Sequence, residues 1–223
     1  MYKAIFYKEW LKIRWIYFAM SAVSLLILGY ILLNISHDLK FIKAPSYLYQ
    51  VIFMGAKFYS IYMYIPLLTG LVIAISQFVP EVHSSRLKLT LHLPENENKI
   101  LIEMISVGFL FLILLFLFSI IVLAIIVRIY FPTEIVNSVL YTSSPWFIAG
   151  IAVYFAVSMI IIEPIWSRRI LYFLITYGFT NTLFKSYWYN LYDRSLPLYI
   201  LFTLFFSISI LLSGYRFKKG VMR

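Results

Sequence analysis

Long apolar runs alternate along this chain with short charged connections, and the length of each run limits what it can be. A helix rises about 1.5 Å per residue, so crossing a hydrocarbon layer of about 30 Å takes roughly 20 apolar residues. Six stretches qualify, with decreasing clarity, and five of them lie at residues 16–34, 58–79, 104–127, 145–165 and 196–215. The third is the strongest: its 24 residues carry no charge and include FLFLILLFLFSIIVLAIIV. A sixth stretch, 170–184, is shorter, contains Gly178, Thr180, Asn181 and Thr182, stops at Lys185 and is followed by SYWYNLY. It reads either as a tilted span whose lysine snorkels or as a broken, re-entrant element. Taken as a span followed by a partly buried hairpin, it brings the total to six. The expected fold is therefore all-α, a polytopic membrane protein with six transmembrane helices in a single domain over residues 1–223.

Lys and Arg in the connections set the orientation. Thirteen fall in the set containing both ends of the chain, the 80–103 connection and Arg168–Arg169, against six in the alternate set of Lys40, Lys43, Lys57, Arg128, Lys185 and Arg194. Both termini are therefore expected in the cytoplasm. Composition agrees with a bilayer environment. The chain is 63% hydrophobic and 13% charged, with a mean hydropathy of +0.90, whereas a water-soluble domain is about half apolar and about a quarter charged. Many of the 19 Tyr and 5 Trp lie at the edges of the apolar runs, where an amphipathic ring suits the headgroup layer. The formal charge of +10 is scattered between apolar runs and forms no continuous patch for a phosphate backbone, so no nucleic acid is expected. There is no cysteine, hence no disulfide or thiolate metal site. The first apolar run is too long for a cleaved signal sequence, lacks an Ala-x-Ala site and is expected to remain as a span.

Two connections invite a functional reading. The lead MYKAIFYKEWLKIRW mixes Lys3, Lys8, Lys12 and Arg14 with Tyr2, Ile5, Phe6, Trp10 and Ile13. It is expected as an interfacial helix over 2–15, with bases toward anionic lipid and aromatics inserted. Glu9 falls amid its apolar side and needs a basic neighbour or a partner protein. The connection 80–103, PEVHSSRLKLTLHLPENENKILIE, sets Leu87, Leu89, Leu91 and Leu93 among charges. A lone strand cannot stand by itself, so a short helix opened by Pro80 and Glu81 and stopped by Pro94 is expected. Apolar residues presented among charges suit docking to another protein.

With this loop the chain resembles a family. The basic aromatic lead, the six runs, and a connection of the form Glu81, Thr90-Leu91-x-Leu93-Pro94 and an amphipathic re-entry at Ile100 look like the permease subunit of type-2 ATP-binding-cassette exporters. The resemblance implies a multi-pass subunit of the cytoplasmic membrane of a prokaryote, paired with a second copy or a sibling permease. It also implies contact with an ATP-binding-cassette ATPase subunit through Glu81, Arg86, Leu87, Lys88, Leu91 and Pro94. By the same analogy the lead would be the interfacial elbow. The stretch with Asn181, Lys185, Trp188 and Arg194 would be the re-entrant hairpin, and the first and fifth spans would face the partner permease. No cofactor is expected on this chain, and ATP and Mg would reside in the partner subunit. That agrees with the glycine pattern, because a phosphate-cradling loop needs Gly-x4-Gly-Lys-Ser/Thr and no two glycines here have that spacing.

Glu163, beside Pro164 near the end of the fourth run, is expected to form a structural ion pair with Arg168 or Arg169, since an unpaired carboxylate within a span is costly. Gln77, Asn34 and Asn181 fit interhelical hydrogen bonding, and Gly70-x3-Ala74 and Ala152-x3-Ala156 fit close helix packing. An enzyme is not expected, as His37, His83 and His92 fall in separate loops and no His-Glu-x-x-His occurs. No span shows the repeated polar face of a channel. Beside the export subunit stands one other reading, a membrane anchor or assembly scaffold that recruits a cytoplasmic partner through loop 80–103. For an exporter, the many aromatics and few charges in the spans favour a lipidic or amphipathic cargo.

Overall fold

A computed structural model describes residues 2–41, 44–52, 54–83, 90, 97–185, 189–192 and 194–219. Among these the architecture is all-helical. Seven α-helices follow in order: α1 (Tyr2–Phe41), α2 (Ala44–Ile52), α3 (Ile65–His83), α4 (Glu97–Tyr130), α5 (Thr133–Ile162), α6 (Trp166–Phe184) and α7 (Leu196–Lys219), with a 3-10 turn at Ser60–Tyr64 leading into α3. Five helical stretches are long and apolar enough to cross a membrane: Tyr2–Phe41, Ser60–His83, Asn98–Tyr130, Thr133–Ile162 and Leu196–Phe217. The chain is thus an integral membrane protein. The expected fifth span corresponds to α6, which is not among these five, because Arg168 and Arg169 at its start and Thr176, Thr180 and Asn181 along it dilute its apolar character.

Helix α5 is the centre of the bundle. Apolar and small side chains on all its faces are buried, from Val136 and Val139 through Trp146, Gly150, Ala152 and Ala156 to Met159 and Ile162. Helices α3, α4, α6 and α7 pack against it, and α1 packs outside α3 and α4. The tightest approach is where α3 crosses α5: a Cβ added to Gly70 would lie 2.0 Å from the Gly150 carbonyl oxygen, and one added to Gly150 would lie 2.5 Å from that of Pro66. Only glycine permits that separation, so Gly70 and Gly150 serve backbone contact, with Ala74 and Ala152 buried nearby on the same helices. A second seam is polar. Ser24 of α1 shares hydrogen bonds with the Tyr62 hydroxyl at 2.7 Å and with Ser119 of α4 at 3.0 Å.

Large apolar side chains stay exposed on the outside, among them Phe18, Leu26, Leu33, Ile121, Leu174, Phe205 and Ile208. Such a surface is stable against lipid and not against water. Between α1 and the 3-10 turn, α2 rests Tyr47 and Val51 on the end of the bundle, and Gly55 turns the chain with φ +67.

Two boundaries differ from expectation. The lead does not form a separate interfacial helix: α1 runs unbroken for 40 residues, about 60 Å and twice a hydrocarbon layer. The cause is its inward stripe of Ile5, Glu9 and Ile13, all buried, which docks the lead on its neighbours in line with the span. The tilted Phe6–Phe111 contact at 5.6 Å and the stacked Trp10–Phe111 pair at 4.7 Å hold it against α4. Likewise Pro80 and Glu81 do not open a loop helix but lie in the last turn of α3. A proline is tolerated in a membrane helix where neighbours restrain the chain, and here the Glu81 side chain is tied to α1.

Candidate functional site

At one end of the bundle, the starts of α1 and α4 meet the ends of α3 and α5. On α1, positions 5, 9 and 13 fall on one face at helical spacing, which brings Glu9 inward and leaves Lys8 and Lys12 flanking it. Lys12 Nζ lies 2.6 Å from Glu9 Oε1 and 2.5 Å from Glu81 Oε1, and Lys8 Nζ lies 3.0 Å from Glu81 Oε1. Both carboxylates are fully buried, while Lys12 is 15% exposed and Lys8 37%. Two acids and two bases make the group neutral overall, which is what permits its burial. The basic neighbour that Glu9 requires is therefore Lys12, one turn along the same helix.

One turn deeper on α3, Gln77 extends the network. Its Nε2 donates to the Met104 carbonyl of α4 at 2.7 Å, and its Oε1 accepts from the Tyr154 hydroxyl of α5 at 2.9 Å. The same hydroxyl lies 3.0 Å from the Ile105 carbonyl. Gly108 leaves the space for this pair, because a Cβ there would stand 2.2 Å from Gln77 Oε1 and 2.3 Å from the Tyr154 oxygen. In the other direction Lys8 Nζ donates to Thr90 Oγ1 at 3.2 Å. Polar contacts thus tie Thr90 to α1 and α1 to the end of α3, and one turn deeper the same helix is tied to α4 and the central helix.

Glu81 is the one residue of the expected contact set that the structure describes. Arg86, Leu87, Lys88, Leu91 and Pro94 lie outside the described residues. Sequence reasoning missed Lys8 and Lys12 as partners of Glu81, although the single acid amid the apolar side of the lead was a signal that a charge had to meet it. Tyr154 carried no signal, since nothing in its surroundings in sequence separates it from an aromatic at the lipid face.

A second cluster lies at the same end. Glu163, fully buried, accepts a 2.7 Å hydrogen bond from Ser213 and pairs with Arg216 at 2.7 Å, both on α7. Arg216 also donates to the Tyr172 hydroxyl of α6 at 2.9 Å. The expected pairing with Arg168 or Arg169 is therefore corrected. The break at Glu163–Ile165 turns α6 back along α5, so Arg169 Nε reaches only the Glu163 backbone carbonyl, at 2.6 Å, and Arg168 stays exposed. The carboxylate points instead to α7, some fifty residues along the chain.

At the opposite end the chain between α6 and α7 folds back over the bundle. Tyr189 donates to the Ala56 carbonyl at 2.9 Å, and Asn190, in a left-handed conformation with φ 57, takes its backbone N–H to Thr142 Oγ1 at 3.1 Å. Tyr192 donates to the Thr182 carbonyl. Of the residues expected in a hairpin here, Asn181 is exposed on α6, Lys185 follows its last turn, Arg194 is exposed, and Trp188 lies outside the described residues.

Among the described residues no three His, Asp or Glu side chains gather as a metal-binding group. Comparison with protein-family models, characterised proteins and solved structures finds no match to the chain. What the fold defines is a helical integral membrane protein with a buried ionic cluster where α1 meets the end of α3.

Proposed function

We propose that this chain is the membrane-spanning permease subunit of an ATP-driven exporter of the ATP-binding-cassette type, moved by a separate ATPase subunit. The observation that carries the reading is the ionic cluster at Glu81. A partner docking on residues 84–96 would pull or push on a loop whose root is clamped to α1 by Lys8 and Lys12 and whose Thr90 is held by Lys8. Any displacement there passes to α1 and, through Gln77 and Tyr154, to the central helix α5. Rigid elements joined by a polar network are what a switch between two arrangements requires. The gathering of Lys8, Lys12, Arg168, Arg169 and Arg216 at this end supports its being cytoplasmic. Exposed apolar faces on α1 and α6 suit a second permease copy or a sibling as well as lipid, with α6 completing six spans.

Purification from native membranes tests the reading. The expected result is co-purification with an ATPase whose turnover falls when Arg86 and Leu87 are replaced by Ala. Recovery of a partner without ATPase activity would overturn it in favour of a scaffold, and so would ATPase turnover indifferent to those substitutions.

A further inference from the structure

A groove runs along the outside of the bundle between α3, α5 and α6. It comprises two adjoining cavities of about 530 and 430 Å³, each in the range of a small-ligand site. They share Ile160 and Phe173, so they form one continuous channel along α6. From Arg169 to Phe184 that is about 22 Å, more than the ~15 Å that one leaflet's hydrocarbon occupies. The walls are mostly apolar: Val79, Ile161, Ile170 and Phe173 line the first cavity and Leu71 and Val157 the second, where Thr176, Thr180 and Asn181 add polar groups toward the far end.

The two ends of the groove differ. Where it meets the basic end of the bundle, Arg169 lies on one side and His83 on the other, and no carboxylate lines either cavity. Arg169 is held in place, its Nε donating to the Glu163 carbonyl at 2.6 Å and its guanidinium lying 5.4 Å from the centre of the Trp166 ring. Its two terminal amino groups have no partner among the described residues. Arg168, its neighbour, is exposed and lines neither cavity.

A guanidinium whose terminal amino groups are unpartnered among the described residues, at the basic end of a mostly apolar slot as long as an acyl chain, matches an anionic amphiphile in both charge and shape. We propose that this groove is a binding site for an anionic phospholipid, with the phosphate on Arg169 and one acyl chain between α5 and α6. The site is formed by one chain and exists whatever the protein moves, so it goes beyond the transport reading and stands or falls separately.

Photo-crosslinking tests it. The full-length protein is reconstituted in phosphatidylcholine vesicles carrying a small fraction of phosphatidylglycerol, or of phosphatidylcholine, with a photoactivatable acyl chain, and the adducts are mapped by mass spectrometry. Phosphatidylglycerol is expected to label the walls between residues 157 and 173 several times more than the zwitterionic probe. Arg169→Gln should lower that preference about fivefold, the contribution of one base near an anionic surface, while Arg169→Lys retains most of it. Arg168→Gln, which removes the same charge one residue away, should leave it unchanged. Ile160→Trp should reduce labelling by filling the slot where the two cavities join, with the charge intact. Equal labelling by the two probes, equal loss in Arg168→Gln and Arg169→Gln, or full labelling of Ile160→Trp would each overturn the proposal.

Discussion

Lys12→Met is the substitution that tests the ionic cluster most directly. Its ammonium is the one group within 2.6 Å of both Glu9 and Glu81, and both carboxylates are fully buried. Removing it leaves Glu9 without a cation in contact and Glu81 with Lys8 alone, at 3.0 Å and 37% exposed. Breaking a buried pair from one side costs about 3–5 kcal/mol, because the remaining charge keeps its desolvation penalty and loses its compensation. At roughly 2–4 °C per kcal/mol for a chain of this size, the unfolding midpoint in detergent should fall by roughly 6–20 °C. Tryptophan fluorescence can follow it, since Trp10 stacks on Phe111 across the seam between α1 and α4. Lys8→Met, at the solvent edge of the cluster, should cost only about 0–1 kcal/mol. Adding Glu9→Gln and Glu81→Gln to Lys12→Met should recover most of the loss, because neutral amides leave no charge to strand. A Lys12→Met midpoint within about 2 °C of the parent, or a triple variant no more stable than the single one, would refute the cluster as the clamp between α1 and α3.

Other expectations follow from the packing and the topology. Gly70→Ala forces a methyl group to 2.0 Å from the Gly150 backbone and should cost about 1–3 kcal/mol or more. Gly29→Ala and Gly178→Ala, with nothing within 4 Å, should be neutral or stabilising in the same detergent melt. Arg216→Met strands the buried Glu163 carboxylate and should destabilise by about 3–5 kcal/mol, whereas Arg168→Met should leave the midpoint unchanged. The absence of native cysteine makes single-cysteine labelling clean. With an impermeant thiol reagent, Lys88→Cys should react only after the cells are made permeable, and Lys40→Cys and Arg194→Cys already in intact cells. Labelling of residue 194 from the inside would show that α6 does not cross.

Much of the architecture was legible in the chain because apolar run length is a local property. The uncharged 24 residues at 104–127 cannot be anything but a span, and they lie within α4. Boundaries were less legible where a side chain's partner lies far away in sequence. Pro80 and Pro145 mark ends on local grounds, yet both sit inside helices, since contacts with α1 for the one and burial on every side for the other outweigh the lost hydrogen bond. Glu163 shows the same limit. Its nearest bases in sequence are Arg168 and Arg169, but the break at Pro164 turns both aside and leaves the carboxylate to Arg216 on α7. Gly70 was readable as a packing residue, while its counterpart Gly150 was not, because which helix meets which is not written in either one.

Residue chemistry and run length alone settle that this chain lives in lipid, because 63% apolar residues grouped in spans of bilayer length have no other stable environment. Which charges neutralise one another, and therefore that the lead is welded to the root of the loop through Lys12 and Glu81, is decided only in three dimensions. An ion pair depends on distance in space, and these two side chains, 69 positions apart in sequence, are brought to 2.5 Å by the packing of α1 against α3.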